Sequence, residues 1–531
     1  MRATFRHVKR ATLALALALA TGAGTAAAEQ VLHRGNGAEP ETLDPHKSTG
    51  VTENNIENDL FEGLVAWSAD GKVTPAIAES WDVSDDGKVY TFHLRDAKWS
   101  NGDPLTAEDF VYSFRRAVDP ATASDYAPIL APIVNASEAI AGKVKPDQIG
   151  VEAVDAKTLK ITLNAPTPYL TGLLCHNIGM PVHRATVEKF GDQWTRPGNE
   201  VGDGAYVISE WVPQDHITLV KNPNYWDAAN VKLDKVVYYP TEDIEEELKR
   251  YRAGELDITY EVPSGQVKWL LENMKDEFHN EPYLGTYYYV INLTKAPLGK
   301  DKRIREALSM AVDRETLVDK ITQAGELPAY AWVPPNLEGY EQQQAAFKDW
   351  PMDKRIAEAR KLLAEAGYGP DKPLKIELLY NTSENHKKIA VAIASMWKKA
   401  LGVEVTLRNE EWKVYLDTRD KKNFEIARAA WIGDFPDPVN FLDMFLSDAG
   451  QRNDAGYDNP KFDELMHQAA ATADAAARMK LLEQAERLFI DDVAMIPIYH
   501  YTTHHMVKPK VKGWAFNILD IHRDKYLSLA E

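Results

Sequence analysis

The stretch AESWDVSDDGKVYTFHLRDAKWSNGDPLTAEDFVYSFRRAVDP, residues 78–120, does most to decide the fold. Val89–Leu94 alternates apolar and polar residues directly after the turn at 85–87, which predicts a half-buried β-strand. A second turn occupies residues 101–104, and Thr106 follows as the N-cap of a helix, with Asp109 completing an imperfect capping box. The helix carries Phe110, Val111 and Phe114 on one face. This unit predicts structure and contains no catalytic motif.

A second stretch, WKVYLDTRDKKNFEIARAAWIGDFPDPVNFLDMF at residues 412–445, holds the residues with the clearest functional potential. Residues 424–431 read as a short strand, which Pro436 and Pro438 stop. Asp434 therefore lies just past a strand end, between Trp431 and Phe435. A carboxylate flanked by aromatic rings suits an ammonium group, because the charge attraction strengthens as water leaves and the rings add cation–π attraction. The alternative is that Asp434 only organises the turn and pairs with Arg428.

Several motifs resemble one known family. DTR…ARAAWIGDFPDP is similar to the ligand-anchoring segment of periplasmic oligopeptide-binding proteins, the solute receptors of peptide ABC importers. The stretch at 78–120 is typical of the wider peptide/nickel-binding superfamily, solute-binding protein family 5. VGDGAY at 201–206, KNPNYW at 221–226 and RYRAGELD at 250–257 match as well. The glycines of VGDGAY form no phosphate loop, since no Lys-Ser/Thr pair follows at the required spacing.

The resemblance implies an α/β fold of the periplasmic-binding-protein type, class II-like and of cluster C, with two hinged lobes and an inserted third. Lobe I is expected to combine 29–60, 186–285 and 501–531; lobe II is 61–185; lobe III is 286–500. Within lobe III the sequence predicts a strand at 287–292 and a helix at 301–325. A βαβ unit follows at 376–380, 386–400 and 403–407, then a helix at 474–490 and a strand at 495–501.

The resemblance also implies the ligand site. In the family the counterpart of Asp434 grips the peptide's α-ammonium group, and the counterparts of Arg419 and His386 are among those offered to the carboxylate end. The remaining matches that line the site are Arg428, Trp412, Trp431, Tyr126, Gly433 and Thr49. From local sequence alone, Arg419 and His386 also fit solvated surface positions, and the two tryptophans and Tyr126 fit packing positions.

Three positions depart from the family pattern. Thr49 stands where the family has a glutamate, Thr322 where it has a lysine for the carboxylate end, and Ile432 where it has a cysteine. Losing one acid and one base keeps the charge of the site balanced. It also changes which peptide lengths and side chains the site suits.

Length and composition set limits on the class of protein. The chain has 531 residues, too many for one core, and its 44% hydrophobic and 27% charged residues are typical of a globular protein. The formal net charge of −19 argues against nucleic acid and anionic membranes as partners.

The N-terminus predicts export. Residues 1–28 read as a signal peptide, with a basic start, an apolar stretch at 11–20 and a cleavage site at 25–28. Cys175, the only cysteine, lies far from that cleavage site, so we expect neither an N-terminal lipid anchor nor an internal disulfide. No later segment approaches twenty apolar residues, so no membrane insertion is expected. These features indicate a periplasmic protein.

Two other chemistries fit the sequence less well than peptide binding does. His500, His504 and His505 are close in sequence, but strand alternation would place His504 and His505 on opposite faces, so no metal site is expected. Asp434 and Asp437 resemble a glycosidase carboxylate pair, yet the proline-rich turn explains them better, and no G-x-S-x-G motif occurs.

The sequence thus predicts a monomeric receptor, without enzymatic activity or cofactor, that binds short peptides and delivers them to an inner-membrane ABC permease and its ATPase subunits. The alternative is a narrower receptor of the same superfamily, for a dipeptide, a murein tripeptide or a nickel complex.

Overall fold

A computed structural model describes residues 29–530, except for the side chains of residues 412 and 413. The predicted signal segment, 1–28, lies outside the described residues. Within 29–530, no helix is both long enough and apolar enough to span a bilayer. The longer helices are Val51–Leu60, Ala107–Val118, Ile244–Ala253, Ser264–Asn273, Lys302–Met310, Met352–Glu365, Glu384–Leu401, Trp412–Asp420, Pro460–Ala471 and Ala475–Asp492.

Three β-sheets organise the chain. In spatial order, the N-terminal sheet consists of Val31–Gly35, Lys235–Tyr239, His216–Lys221 and Tyr206–Val212. The inserted sheet consists of Ala78–Val83, Val89–Leu94, Thr158–Thr162 and Val151–Asp155. The large sheet consists of Leu327–Pro328, Met495–Met506, Phe278–Ile291, Ile426–Ile432, Lys375–Asn381 and Glu404–Glu410. Helices cover these sheets, so the predicted α/β class is confirmed.

Residues 78–120 fold as their sequence pattern predicts. Val89–Leu94 is a strand of the inserted sheet, and its burial alternates along its length. The helix Ala107–Val118 follows, and the Thr106 amide donates to Asp109 Oδ2 at 2.8 Å. Aspartate therefore takes the place that glutamate usually has in a capping box. The predicted apolar face of the helix is buried, which ties it to the core of the inserted sheet.

The large sheet contains the predicted βαβ unit. Lys375–Asn381 and Glu404–Glu410 are parallel neighbours joined by the helix Glu384–Leu401. Two strands, Phe278–Ile291 and Met495–Met506, are longer than predicted. They pair in antiparallel fashion, and the pairing extends from their apolar, buried residues into a polar part of each strand. Backbone pairing continues where the apolar alternation stops, and several of the polar side chains there, among them Thr502, Thr503 and His505, line a cavity instead of a core.

The prediction of one helix over 301–325 is wrong. The helix Lys302–Met310 ends, and Asp313 starts a new short helix by accepting a hydrogen bond from the Thr316 amide at 3.0 Å. Arg314, fully buried, donates to the carbonyl oxygens of Ser309 at 3.0 Å and Val312 at 3.2 Å. Side-chain groups therefore satisfy the end of the first helix and replace its continuation.

The sheets fall within the predicted lobe ranges, apart from the two long strands. Phe278–Ile291 and Met495–Met506 run across the expected boundaries at 285/286 and 500/501. Beside them, Ile258 makes β-bridges to both Arg34 and Val507. The backbone thus connects the large sheet to the N-terminal sheet here, and the cavities described next lie beside these connections. The boundaries of the lobes stay a prediction.

Candidate functional site

A cavity of about 160 Å³ lies at the end of the strand Ile426–Ile432. Four of the predicted site residues line it: Thr49, Tyr126, Gly433 and Asp434. The other walls come from distant parts of the chain, among them His176, Asn177, Tyr283 and Asp520. The cavity therefore collects residues from the predicted lobe II and from the N-terminal and C-terminal segments around the strand end.

A local network holds Asp434 in place. The Gly433 amide donates to the Leu284 carbonyl at 2.7 Å, which keeps the strand end against its neighbour. Asn440 Oδ1 accepts from Trp431 Nε1 at 3.0 Å and from the Asp434 amide at 3.2 Å. The Asn440 side chain therefore holds together the turn that contains the two prolines. The Asp434 carboxylate lies at the wall of the cavity.

The Asp434 carboxylate has a neutral neighbour rather than a cationic one. Asn440 Nδ2 lies 3.5 Å from Asp434 Oδ2, and within residues 29–530 no basic side chain forms an ion pair with Asp434. Burial raises the pKa of Asp434 to about 6, against a weaker opposing effect of Asn440. The alternative in which Arg428 neutralises Asp434 is wrong, because the Arg428 guanidinium contacts other groups.

Arg428 lies among tyrosines further back on the same strand. Its guanidinium is 3.3 Å from Asn381 Oδ1, 3.5 Å from the Tyr501 hydroxyl and 4.8 Å above the Tyr287 ring. Its Nε is buried without a hydrogen-bond partner, and in the described part of the chain no carboxylate forms an ion pair with it. Arg428 thus keeps a positive charge that a guest carboxylate can neutralise.

His386 lies beside this arginine. Its Nδ1 is 3.4 Å from the Tyr287 hydroxyl, and it lines a second cavity of about 330 Å³. Burial, followed by the positive charge of Arg428, lowers the pKa of His386 to about 3, so the ring is neutral at physiological pH. The second cavity shares Val51, Tyr283 and Asp520 with the first. The two cavities therefore adjoin, with an acid at one end and a base near the other.

Arg428 lies behind the walls of these cavities rather than in them, and three further predicted site residues also lie outside both linings. Arg419 lies on the helix Trp412–Asp420 and forms an ion pair with the buried Asp454. Trp431 is half-buried and packs against the core as it donates to Asn440. Trp412 begins the helix, and its side chain is outside the described residues. Their role in ligand binding stays a prediction.

The structure adds residues that no local pattern marked. Tyr283 lies in an irregular part of the long strand, and Asp520 comes from the C-terminal segment with a left-handed φ of 57°. His176 stacks on Tyr126 with ring centroids 4.7 Å apart. Each of these residues reaches the cavity because segments far apart in the sequence pack together. A pattern of neighbouring residues therefore could not have predicted them as wall residues.

The residues that suggested a glycosidase or a histidine metal site in the sequence are engaged in other contacts. Asp437 forms a two-point ion pair with buried Arg478 at 2.7 and 2.8 Å, so it is occupied rather than poised opposite Asp434. His500 bonds to Thr286 at 2.9 Å, whereas His504 contacts the Ala324 carbonyl. His500 and His504 therefore bind different partners and do not converge on one metal position.

Two adjoining cavities walled by distant chain segments, with an unpaired acid in one and an unpaired base beside the other, are typical of a binding site for a small solute. The sequence model described as "Bacterial extracellular solute-binding proteins, family 5 Middle" matches residues 72–453. The periplasmic oligopeptide-binding protein OppA of Escherichia coli K12 is 46% identical over 495 residues, covering 92% of this chain and 91% of that protein.

Solved structures agree with this match. The periplasmic murein tripeptide binding protein MppA, in its unliganded open form, superposes with a TM-score of 0.84 at 42% identity, covering 95% of this chain and 98% of the other. Haemophilus influenzae OppA in complex with the peptide RPPGFSPFR superposes with a TM-score of 0.79 at 40% identity, covering 95% and 100%. The chain belongs to family 5 of the bacterial extracellular solute-binding proteins, and the expected periplasmic-binding-protein fold is confirmed.

Proposed function

We propose that this chain is a periplasmic receptor that captures short peptides in the two adjoining cavities and delivers them to an inner-membrane ABC permease with its ATPase subunits. The observation that carries the proposal is a separation of unpaired charges. Asp434 faces the first cavity without a cation, and Arg428 lies near the second without a carboxylate. A peptide with free ends supplies one complementary charge to each.

The spacing of the two charges suits a guest of a few residues. Arg428 and Asp434 are six positions apart on and just past one strand, which corresponds to at most about 20 Å of extended chain. An extended peptide covers about 3.3–3.6 Å per residue, so a guest of a few residues bridges the two side chains. Backbone pairing of the guest with strand edges would add affinity without regard to its side chains.

The family relatives support the same solute and the same address. The E. coli relative is named a periplasmic oligopeptide-binding protein, and the H. influenzae relative was solved with a bound peptide. A narrower ligand is the second candidate, because the murein tripeptide binding protein MppA superposes well over nearly its whole length. The receptor is proposed to act as a monomer, without a cofactor and without hydrolysing its ligand.

Calorimetry with matched peptides of three to six residues tests this function. We expect peptides with free ends to bind, their N-acetylated forms to lose most affinity because Asp434 gains no counter-charge, and the C-amidated forms of those long enough to reach Arg428 to lose affinity at that end. Equal affinity of the free and N-acetylated peptides would contradict the proposal. Mass spectrometry of the peptide after incubation should recover it intact, and recovery of cleaved fragments would identify an enzyme instead.

Native mass spectrometry of the freshly purified protein separates the two candidate ligands. A series of co-purified peptide masses indicates a broad oligopeptide receptor, and one mass indicates the narrow receptor. A co-purified solute without an amine would contradict both.

A further inference from the structure

His505, Asp520 and His522 form a compact cluster of metal-binding side chains between the long strands and the C-terminal segment. His505 Nε2 lies 2.8 and 2.9 Å from the two carboxylate oxygens of Asp520, and His522 Nε2 lies 3.1 Å from Asp520 Oδ1. All three ligand atoms fall within 4.8 Å of one another. In the sequence, His505 and His522 are 17 positions apart, so local pattern did not join them.

Groups outside the cluster fix the two rings. His505 Nδ1 lies 3.1 Å from the Thr259 carbonyl oxygen, so Nδ1 carries the donated proton and Nε2 is the atom that faces Asp520. His522 stacks on Trp514 with ring centroids 3.6 Å apart and planes inclined by 18°. A backbone carbonyl on the far nitrogen is the usual support of a metal-binding histidine, because it sets the tautomer and the ring direction.

The distances fit a bound ion. Bonds of about 2.0–2.1 Å to a metal place adjacent ligand atoms about 2.9 Å apart at right angles and about 3.4 Å apart in a tetrahedron. The observed His–Asp separations of 2.8–3.1 Å are close to both values, and the ligand atoms of the two histidines lie within 4.8 Å of each other. A bound ion would replace the present His–Asp hydrogen bonds and draw the two rings around itself. Two imidazole nitrogens with one carboxylate oxygen suit Zn²⁺ and its neighbours among the first-row divalent ions.

The charges around the cluster are mixed. Asp520 supplies the nearest negative charge, and Glu247 and Glu261 act on His505 from the neighbouring segments. Arg34 opposes a cation, but its guanidinium is already paired with Asp524 at 2.7 Å. Burial works to lower the pKa of His505, and the Asp520 carboxylate outweighs it, so the pKa is raised.

The cluster borders the ligand cleft. Asp520 lines both adjoining cavities, His505 lines the second, and the Asp520 side chain keeps 19% of its surface exposed. We propose that His505, Asp520 and His522 form a binding site for a divalent transition-metal ion of the Zn²⁺ class, with a free coordination position toward the cleft. This site does not depend on the peptide-binding function.

Untagged, chelator-treated full-length protein provides the test. Titration with Zn²⁺ by calorimetry should show that one ion binds per chain. Addition of Co²⁺ to the same protein should give visible absorption bands of a protein-bound ion. The affinity should fall with decreasing pH as the proton returns to His505. Absence of saturable Zn²⁺ binding together with a Co²⁺ spectrum of the free aqueous ion would overturn the proposal.

Substitutions assign the ligands. His505→Gln and His522→Gln should each weaken Zn²⁺ binding at least tenfold. His504→Gln is the matched control, since its ring contacts the Ala324 carbonyl, and it should leave the affinity unchanged. Circular dichroism confirms that each variant is folded. Folded His505→Gln and His522→Gln variants that bind Zn²⁺ like the parent, or a loss confined to His504→Gln, would assign the ion elsewhere.

Discussion

Asn440 Nδ2 lies 3.5 Å from Oδ2 of Asp434, and Asn440 Oδ1 also accepts hydrogen bonds from the Asp434 amide and the Trp431 indole. An amide therefore orients this carboxylate without neutralising it. The charge of Asp434 therefore stays available at the wall of a cavity.

Asp434→Asn is expected to remove most of the affinity for peptides with a free amino end. The buried ammonium loses its counter-charge, which costs about 3–5 kcal/mol when one partner of a buried pair is removed. Calorimetry with the same peptides that are used for the parent protein measures the loss. Asp70→Asn is the control, because Asp70 is exposed beside a different cavity and should bind as the parent does. An Asp434→Asn variant with parental affinity would show that the amine is held elsewhere.

Peptide affinity should depend on pH through Asp434. Its pKa is raised to about 6 in the free protein, and a bound ammonium would lower it again. The carboxylate is half charged near pH 6 and almost fully charged a pH unit above it, where the affinity should be highest. Below about pH 6 the affinity should fall by up to about tenfold per pH unit. Above about pH 8 the peptide amine loses its proton, and affinity should fall once more.

Calorimetry across pH 4.5–9 in two buffers of different ionisation enthalpy measures this profile and the proton released on binding. The Asp434→Asn variant is the control, because its residual peptide affinity should not fall as the pH decreases below about 6. A fall of equal size in that variant would place the titrating group on another residue.

Arg428→Gln should weaken peptides with a free carboxylate and spare C-amidated ones. A hydrogen bond to a charged group contributes about 1.5–3 kcal/mol, so we expect a loss of about 10–100-fold for the free acid. The paired control is Arg408→Gln, whose guanidinium is bonded to Glu377 and Glu410 and lies outside both cavities. Equal losses for the free and amidated peptides would mean that Arg428 supports the fold of the site rather than contacting the carboxylate.

Gly433→Ala should destabilise the protein. A Cβ at Gly433 would lie 2.7 Å from Leu284 Cδ2 and 3.0 Å from Phe441 Cε2, and both neighbours are fully buried. Overpacking of this kind costs about 1–3 kcal/mol, which thermal or urea unfolding detects. Gly265→Ala is the control, because no atom lies within 4 Å of its added Cβ, and its stability should be unchanged or slightly higher. Equal stability of the two variants would show that the strand end can yield without cost.

The sequence by itself determined the elements whose causes are local. The strand Val89–Leu94 and the helix Ala107–Val118 follow from alternation, turn residues and a cap within a few positions of each other. The βαβ unit around Glu384–Leu401 follows from helical and strand periodicity in the same way. The position of Asp434 past a strand end follows from the two prolines that stop the strand. Such signals act between near neighbours, so they can be read from the chain.

Only the tertiary structure decided which charges were paired. Arg419 and Arg428 are alike in sequence, yet one meets Asp454 and the other meets tyrosines and an amide. The cluster of His505, Asp520 and His522 also depends on long-range packing. Whether a charge is neutralised depends on which distant segment reaches it, because electrostatic and hydrogen-bond contacts act over a few ångströms in space and are indifferent to separation along the chain.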